Sequence, residues 1–222
     1  MPEITSEIFQ VGGGGFTAPE DAAVYLIRFE SEAALVDAGT GGDTDRLFRN
    51  IESCGVSPDA VRYLLLTHCH FDHTGGAADV RERTGCRIVA HALEAPFLEA
   101  GDDRVTAALW YGTHLSPLPI DERIEGSRGT IRMGNREILA VHIPGHSPGS
   151  LAFLLDSDGQ RVLFGQDIHG PLDESLLSDE DAYRRSLELL AGQNADILCE
   201  GHYGVFRGKG EVRNFIRSFL RG

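Results

Sequence analysis

No run in this 222-residue sequence approaches the roughly 20 consecutive apolar residues that cross a bilayer. The opening residues, Met1 to Glu7, have neither the basic segment nor the apolar stretch of an export signal, so export is not expected. Cysteine is scarce: Cys54, Cys69, Cys86 and Cys199 are scattered without a CxxC pair. The expectation is four reduced thiols in a cytoplasmic protein. Positive charge is also short. Against 34 acidic residues stand 20 Lys and Arg, and the formal charge of −14 repels phosphate backbones, which argues against a nucleic-acid partner. The glycine quartet Gly12 to Gly15 lacks the GK[ST] and the following helix of a phosphate-binding loop, and reads instead as a flexible loop beside an active site.

What is present suits one globular domain spanning residues 1–222. Hydrophobic residues at 41 % can bury a core, and 24 % charged residues is too low for disorder. Apolar, β-rich runs at 24–29, 33–36, 61–66 and 87–90 read as strands. Residues 43–52 and 74–83 have helical spacing, and this alternation implies an α/β sheet with helices on its faces. From 92 to 125 a short helix at 93–99 gives way to Gly101, Gly112, Pro117 and Pro119, the signature of a lid or substrate loop. Strand-like runs resume at 130–133, 138–143, 151–155, 162–164 and 196–199, with helices at 179–190 and 210–220. The expectation is two half-sheets.

Chemistry concentrates in Thr67-His68-Cys69-His70-Phe71-Asp72-His73, directly after the buried run 61–66. His68 and His70 are two apart, so on extended backbone they point to the same side and can grip one metal ion. Asp72 and His73 follow where the chain turns into a helix and can face a second. Imidazole nitrogen and carboxylate oxygen suit zinc, and also iron or manganese. Gly75-Gly76 permits close backbone approach. Three later runs, each just past a strand, bring one more ligand type apiece: His146 in Ile143-Pro144-Gly145-His146, Asp167 in Phe164-Gly165-Gln166-Asp167, and His202 in Leu198-Cys199-Glu200-Gly201-His202. Strand ends are where α/β sheets gather their sites.

These motifs, in this order, resemble the metallo-β-lactamase-fold superfamily, whose HxHxDH signature is matched by His68-Cys69-His70-Phe71-Asp72-His73. The resemblance runs from Val24 to about Gly204 and implies an α/β (α+β) fold, a four-layer αββα sandwich. It implies that His68, His70 and His146 bind one metal and that Asp72, His73 and His202 bind a second, with Asp167 bridging them. Asp37, in Val36-Asp37-Ala38-Gly39-Thr40, would support the ligand loop from behind. Gly165-Gln166-Asp167 departs from the Gly-Asp of many relatives. The implied cofactor is a pair of divalent ions, zinc foremost. The implied activity is hydrolysis of an ester-like bond (thioester, lactone or related acyl compound) by metal-activated water, with Asp72 orienting it and passing a proton to the leaving group. The competing implication is a mononuclear-iron persulfide dioxygenase using His68, His146 and Asp167. The substrate is a small molecule, and Tyr111, His114 and His169 are the candidates for contacting it. His91 and His142 read as structural. Leu109, Trp110 and Leu115 either line an apolar pocket or bury a homodimer surface.

Overall fold

The computed structural model describes residues 1–221. Among these, seven strands lie side by side in chain order: β1 (Glu3–Thr5), β2 (Ile8–Gly12), β3 (Val24–Phe29), β4 (Glu32–Val36), β5 (Val61–Leu65), β6 (Arg87–His91) and β7 (Glu122–Ile124). A second sheet holds β8 (Arg128–Met133), β9 (Arg136–His142), β10 (Leu151–Ser157), β11 (Gln160–Phe164), β12 (Ile197–Cys199) and β13 (Val205–Arg207), with β8 and β13 at its edges. The helices are α1 (Thr44–Ser53), α2 (Phe71–Thr74), α3 (Ala77–Thr84), α4 (Ala95–Ala100), α5 (Glu180–Ala191) and α6 (Lys209–Ser218).

Side chains alternate faces along a strand, and that period decides what each face meets. In β3, Tyr25, Ile27 and Phe29 join the core between the sheets, while Val24 and Leu26 join the core under α1 and α3. β10 does the same in the second sheet: Phe153 and Leu155 face the first sheet, and Ala152 and Leu154 face Leu187 and Leu190 of α5 and Val212 and Ile216 of α6. Helix, sheet, sheet and helix therefore stack in four layers, the αββα sandwich anticipated from the motifs.

Three local readings change. The helix anticipated at 74–83 is two pieces, α2 and α3, parted at Gly75-Gly76. A Cβ at Gly75 would run into the Thr40 carbonyl and one at Gly76 into the Ala38 carbonyl, so this turn is pressed against the loop after β4. Gly12 closes β2 rather than opening a loop, and the turn begins at Gly13, whose φ is 119°. The strands β1, β7 and β13 are three residues each, too short to carry a readable period. All four cysteines are buried and unpaired. Among the described residues, no helix is long and apolar enough to cross a membrane.

His91 and His142 stack face to face, ring centroids 3.9 Å apart and planes 12° from parallel. His91 donates from Nε2 to the Gly126 carbonyl at 3.1 Å and accepts the Leu93 N–H on Nδ1 at 3.2 Å, a pairing that needs the neutral ring. Burial, aided by His142, holds its pKa below the usual histidine value. The fold thus favours neutral His91, and this contribution is lost as pH falls from the unfolded histidine range, about 6.5, through the lower folded value. Between pH 7 and pH 5 the urea midpoint of the wild type should drop further than that of His91→Gln. Equal drops would exclude this pair as an acid-sensitive point.

Candidate metal centre

Two buried carboxylates set the frame. Asp37 follows β4 in left-handed backbone (φ 61°) and is fully buried. Its Oδ1 accepts the Thr67 N–H at 2.8 Å, and its Oδ2 accepts from Thr67 Oγ1 at 2.7 Å, His73 Nδ1 at 2.7 Å and Gln166 Nε2 at 2.5 Å. One side chain thereby joins the ends of β4, β5 and β11 to α2. With Nδ1 engaged, His73 turns Nε2 toward the site. Burial pushes the Asp37 carboxyl up from its ordinary range, and His73 pulls against that shift.

Glu94 is the second. Its Oε2 accepts the Cys69 N–H at 2.8 Å, and its Oε1 accepts Ser147 Oγ–H at 2.9 Å and the Gly149 N–H at 2.5 Å. It fastens the His68–His70 loop of one half to the His146 loop of the other. Gly149 is needed there, since a Cβ would sit 2.7 Å from Glu94 Cγ. His146 then donates Nδ1–H to the Pro171 carbonyl at 2.8 Å, which directs its Nε2 inward.

The remaining donors converge. His146 Nε2 lies 3.3 Å from His68 Nε2, and Asp167 Oδ2 lies 3.4 Å from the former and 3.7 Å from the latter. The other oxygen, Asp167 Oδ1, is 3.2 Å from His73 Nε2 and 3.3 Å from His202 Nε2. Asp72 Oδ2 closes that second group, 3.2 Å from His202 Nε2 and 3.6 Å from His73 Nε2. His70 completes the first, with donor atoms of His68, His70, His146 and Asp167 all within 4.8 Å of one another. Donors held tetrahedrally about 2.0–2.1 Å from zinc are roughly 3.3 Å apart, close to most of these edges. Among the described residues, the buried atoms without a hydrogen-bond partner include His70 Nε2, His73 Nε2 and Asp167 Oδ1. Buried lone pairs left bare are costly, and a shared cation satisfies them. The donor set fits divalent metal ions.

Electrostatics divide the two groups. Burial holds His68 and His70 well below the usual histidine pKa, aided by neighbouring histidines, which favours the neutral rings that could accept a cation. Burial opposes charge on His202 too, but Asp167 and Asp72 outweigh it and push its pKa up to about 10. Burial likewise resists ionisation of Asp167, and His73, with His146 and His202, overcomes it and keeps the carboxylate charged.

Over these donors opens a cleft of about 270 Å³, walled by Ala107, Trp110, Tyr111, His169, Pro171 and Leu176. Tyr111 is 39 % exposed, and its partial burial, with Asp72, raises its phenol above the ordinary range. His169 also faces the cleft, its Nδ1 2.7 Å from Glu200 Oε1, and Glu200 Oε2 accepts the His202 and Tyr203 N–H groups at 2.7 and 2.9 Å. His114 is the exception among the candidates for substrate contact. Its ring is 83 % exposed and bound to Asp103 outside the cleft, whereas Trp110 and Tyr111 of the turn before it line the cleft. Leu115 is buried in the core under α1 and α3, whereas Leu109 and Trp110 are exposed.

Sequence reading missed Glu94, Glu200 and the anchoring role of Gln166. Glu200 lies in the same run as His202, two residues earlier, and a carboxylate beside a strand-end ligand is the signal that could have found it. Glu94 has no such local mark, since its partners are 25 to 55 residues away.

A buried His/Asp centre at the strand ends of an αββα sandwich is the arrangement of a metallo-enzyme. The family model of the metallo-beta-lactamase superfamily matches residues 18–202, and the chain belongs to that superfamily. It is similar to the probable metallo-hydrolase YqgX of Bacillus subtilis, 30 % identical over 147 residues, 66 % of this chain and 66 % of that protein. The acyl-coenzyme A thioesterase MBLAC2 of Gallus gallus is 26 % identical over 226 residues, covering 90 % and 79 % of the two chains. The atrochrysone carboxyl ACP thioesterase of Passalora fulva is 26 % identical over 212 residues, 92 % of this chain and 56 % of that one. Among solved structures, a subclass B3 metallo-beta-lactamase of Bradyrhizobium japonicum superposes with a TM-score of 0.81 at 22 % identity, covering 99 % of this chain and 90 % of the other. That likeness speaks for the fold.

Proposed function

We propose that this enzyme hydrolyses acyl esters, thioesters foremost, at a two-metal centre. His68, His70 and His146 would hold one divalent ion and Asp72, His73 and His202 the other, zinc foremost, with Asp167 shared. The observation that carries this reading is the placement of the two Asp167 oxygens, Oδ2 among the first donors and Oδ1 among the second. The similarity to two thioesterases supports the bond type. Bound divalent ions would supply water activation near neutral pH and polarise the scissile carbonyl.

The chain's own residues do the rest. Asp72 lies on the cleft floor and takes a proton from the attacking water. As the water oxygen bonds to the acyl carbon and the carbon–sulfur bond breaks, that proton passes to the leaving thiol, so acid and thiol are the products. The Tyr111 hydroxyl, held protonated, donates to the carbonyl oxygen as charge develops on it. Ala107, Trp110 and Leu176 keep water from the acyl arm, with residues 92–125 acting as a substrate loop of a single domain.

Dialysis against a chelator should abolish thioester turnover, and about two equivalents of zinc or manganese should restore it. Undiminished turnover by stripped protein would overturn the reading, and oxygen uptake on glutathione persulfide by iron-loaded protein would replace it with the dioxygenase. Tyr111→Phe should lower kcat about tenfold or more with little change in KM, a split expected of a donor engaged in the transition state.

A further inference from the structure

Apolar surface runs from the metal donors out to solvent. Of the residues walling the cleft, Ala107 and Leu176 are buried, whereas Trp110 is 55 % exposed and Pro171 is exposed as well. One wall precedes β7 in the chain and the other follows β11. Trp110 and Tyr111 belong to the short turn Ala108–Tyr111, and Leu176 closes the short turn Glu174–Leu176. Each turn is bounded by a residue in left-handed backbone, Ala107 at φ 60° and Leu177 at φ 58°. That conformation is costly for a residue with a side chain, and it gathers at active sites and ligand clamps. Pro171 is fixed from behind, since its carbonyl accepts His146 Nδ1–H at 2.8 Å.

Size and direction tie this surface to the substrate. The cleft, about 270 Å³, holds about nine waters at roughly 30 Å³ each and falls short of the roughly 300–1,000 Å³ of small-molecule pockets. With an acyl carbon and an attacking water over the donors, a long substrate overhangs it. Trp110 is the largest apolar side chain that both lines the cleft and reaches solvent. It is also the chain neighbour of Tyr111, whose hydroxyl serves the carbonyl oxygen, so the acyl side of the bond meets the indole rather than the leaving thiol.

Resting on the thioesterase reading, we propose that the acyl arm is a hydrocarbon chain longer than the cleft and that Trp110 selects it. Ala107 and Leu176 cover the first methylenes, and the indole lies along the outer ones. A methylene covered on one side is worth roughly twofold in binding, half the effect of full burial.

Trp110 is the only tryptophan in the chain, so tryptophan emission reports what covers it. With metal-loaded protein, octanoate should shift that emission to the blue and saturate, while acetate should leave it in place. Among thioesters of N-acetylcysteamine, octanoyl should exceed butanoyl in kcat/KM by about tenfold, roughly twofold for each added methylene. Moving the chain to the thiol, as in the acetyl thioester of octanethiol, should bring no such gain. Trp110→Ala should reduce the octanoyl-to-butanoyl ratio to about twofold, and Trp110→Phe should restore most of it. Equal rates for all chain lengths, with no shift by octanoate, overturn the selection and leave thioester hydrolysis standing. Emission that is already blue in the free protein and reddens on dilution overturns it as well, because a second copy then covers Trp110. A shift by octanoate without turnover of any thioester supports the hydrocarbon site and overturns the bond type alone.

Discussion

On the two-metal reading, Asp167→Asn is expected to lower turnover by at least about a thousandfold and to reduce the metal bound per chain, in a protein that still folds. Each Asp167 oxygen lies among a different donor group, so loss of its charge strikes both at once. An amide would offer one neutral oxygen and turn an N–H₂ toward imidazole nitrogens that, on the same reading, would themselves be acceptors for metal. Asparagine is the informative substitution because Asp167 sits in left-handed backbone (φ 53°), which Asn tolerates and Ala resists. Elemental analysis, thermal melting and single-substrate kinetics on the same preparation check the prediction. An Asn variant with both metals and near-normal turnover would remove Asp167 from the centre of the site.

Glu94→Ala should destabilise the fold strongly. Three buried donors lose their acceptor together: the N–H groups of Cys69 and Gly149 and the hydroxyl of Ser147. Each unsatisfied buried donor costs about 1–3 kcal/mol, although Ser147 can still turn to Ser150 Oγ at 2.7 Å. The sum is several kcal/mol out of a total stability of about 5–15 kcal/mol. The variant is therefore expected to be largely unfolded or to melt at a much lower denaturant concentration. Glu94→Gln keeps the shape and one acceptor, so it should fold, with metal affinity lowered about 10–100-fold because the His68–His70 and His146 loops are no longer drawn to one anion. Urea titration of the Ala variant and metal titration of the Gln variant measure the two effects separately. A Glu94→Ala midpoint near that of the wild type would show that the two loops are held together by other contacts.

The ligand types were legible because they are local. His68, His70, Asp72 and His73 fall within six residues behind a strand, and period-two spacing alone puts the first two on one side. His146, Asp167 and His202 each stand just past a readable strand, and the superfamily's order of motifs then grouped them. The amphipathic helices α1 and α5 and the long strands were legible for the same reason, their periods being complete within one element. Contacts between elements have no such trace. Nothing near Glu94 marks it as the tie between two loops, and Gln166 looked like a departure from a pattern until its amide was found on Asp37, 129 residues away in sequence.

The segment 92–125 draws the line most clearly. Glycine and proline marked it as irregular, but Tyr111 and His114 are three residues apart and equally polar. Only the turn from Ala108 to Tyr111 puts one over the metal donors and the other in solvent. By itself, then, the sequence determined which atoms could bind metal and on which strands they would be delivered, since both follow from residue type and short-range period. The tertiary structure decided that the seven donors form two groups sharing one carboxylate, and which walls surround them. Those depend on how two sheets pack and where loops far apart in the chain meet, and such distances are set by the folded core rather than by spacing along it.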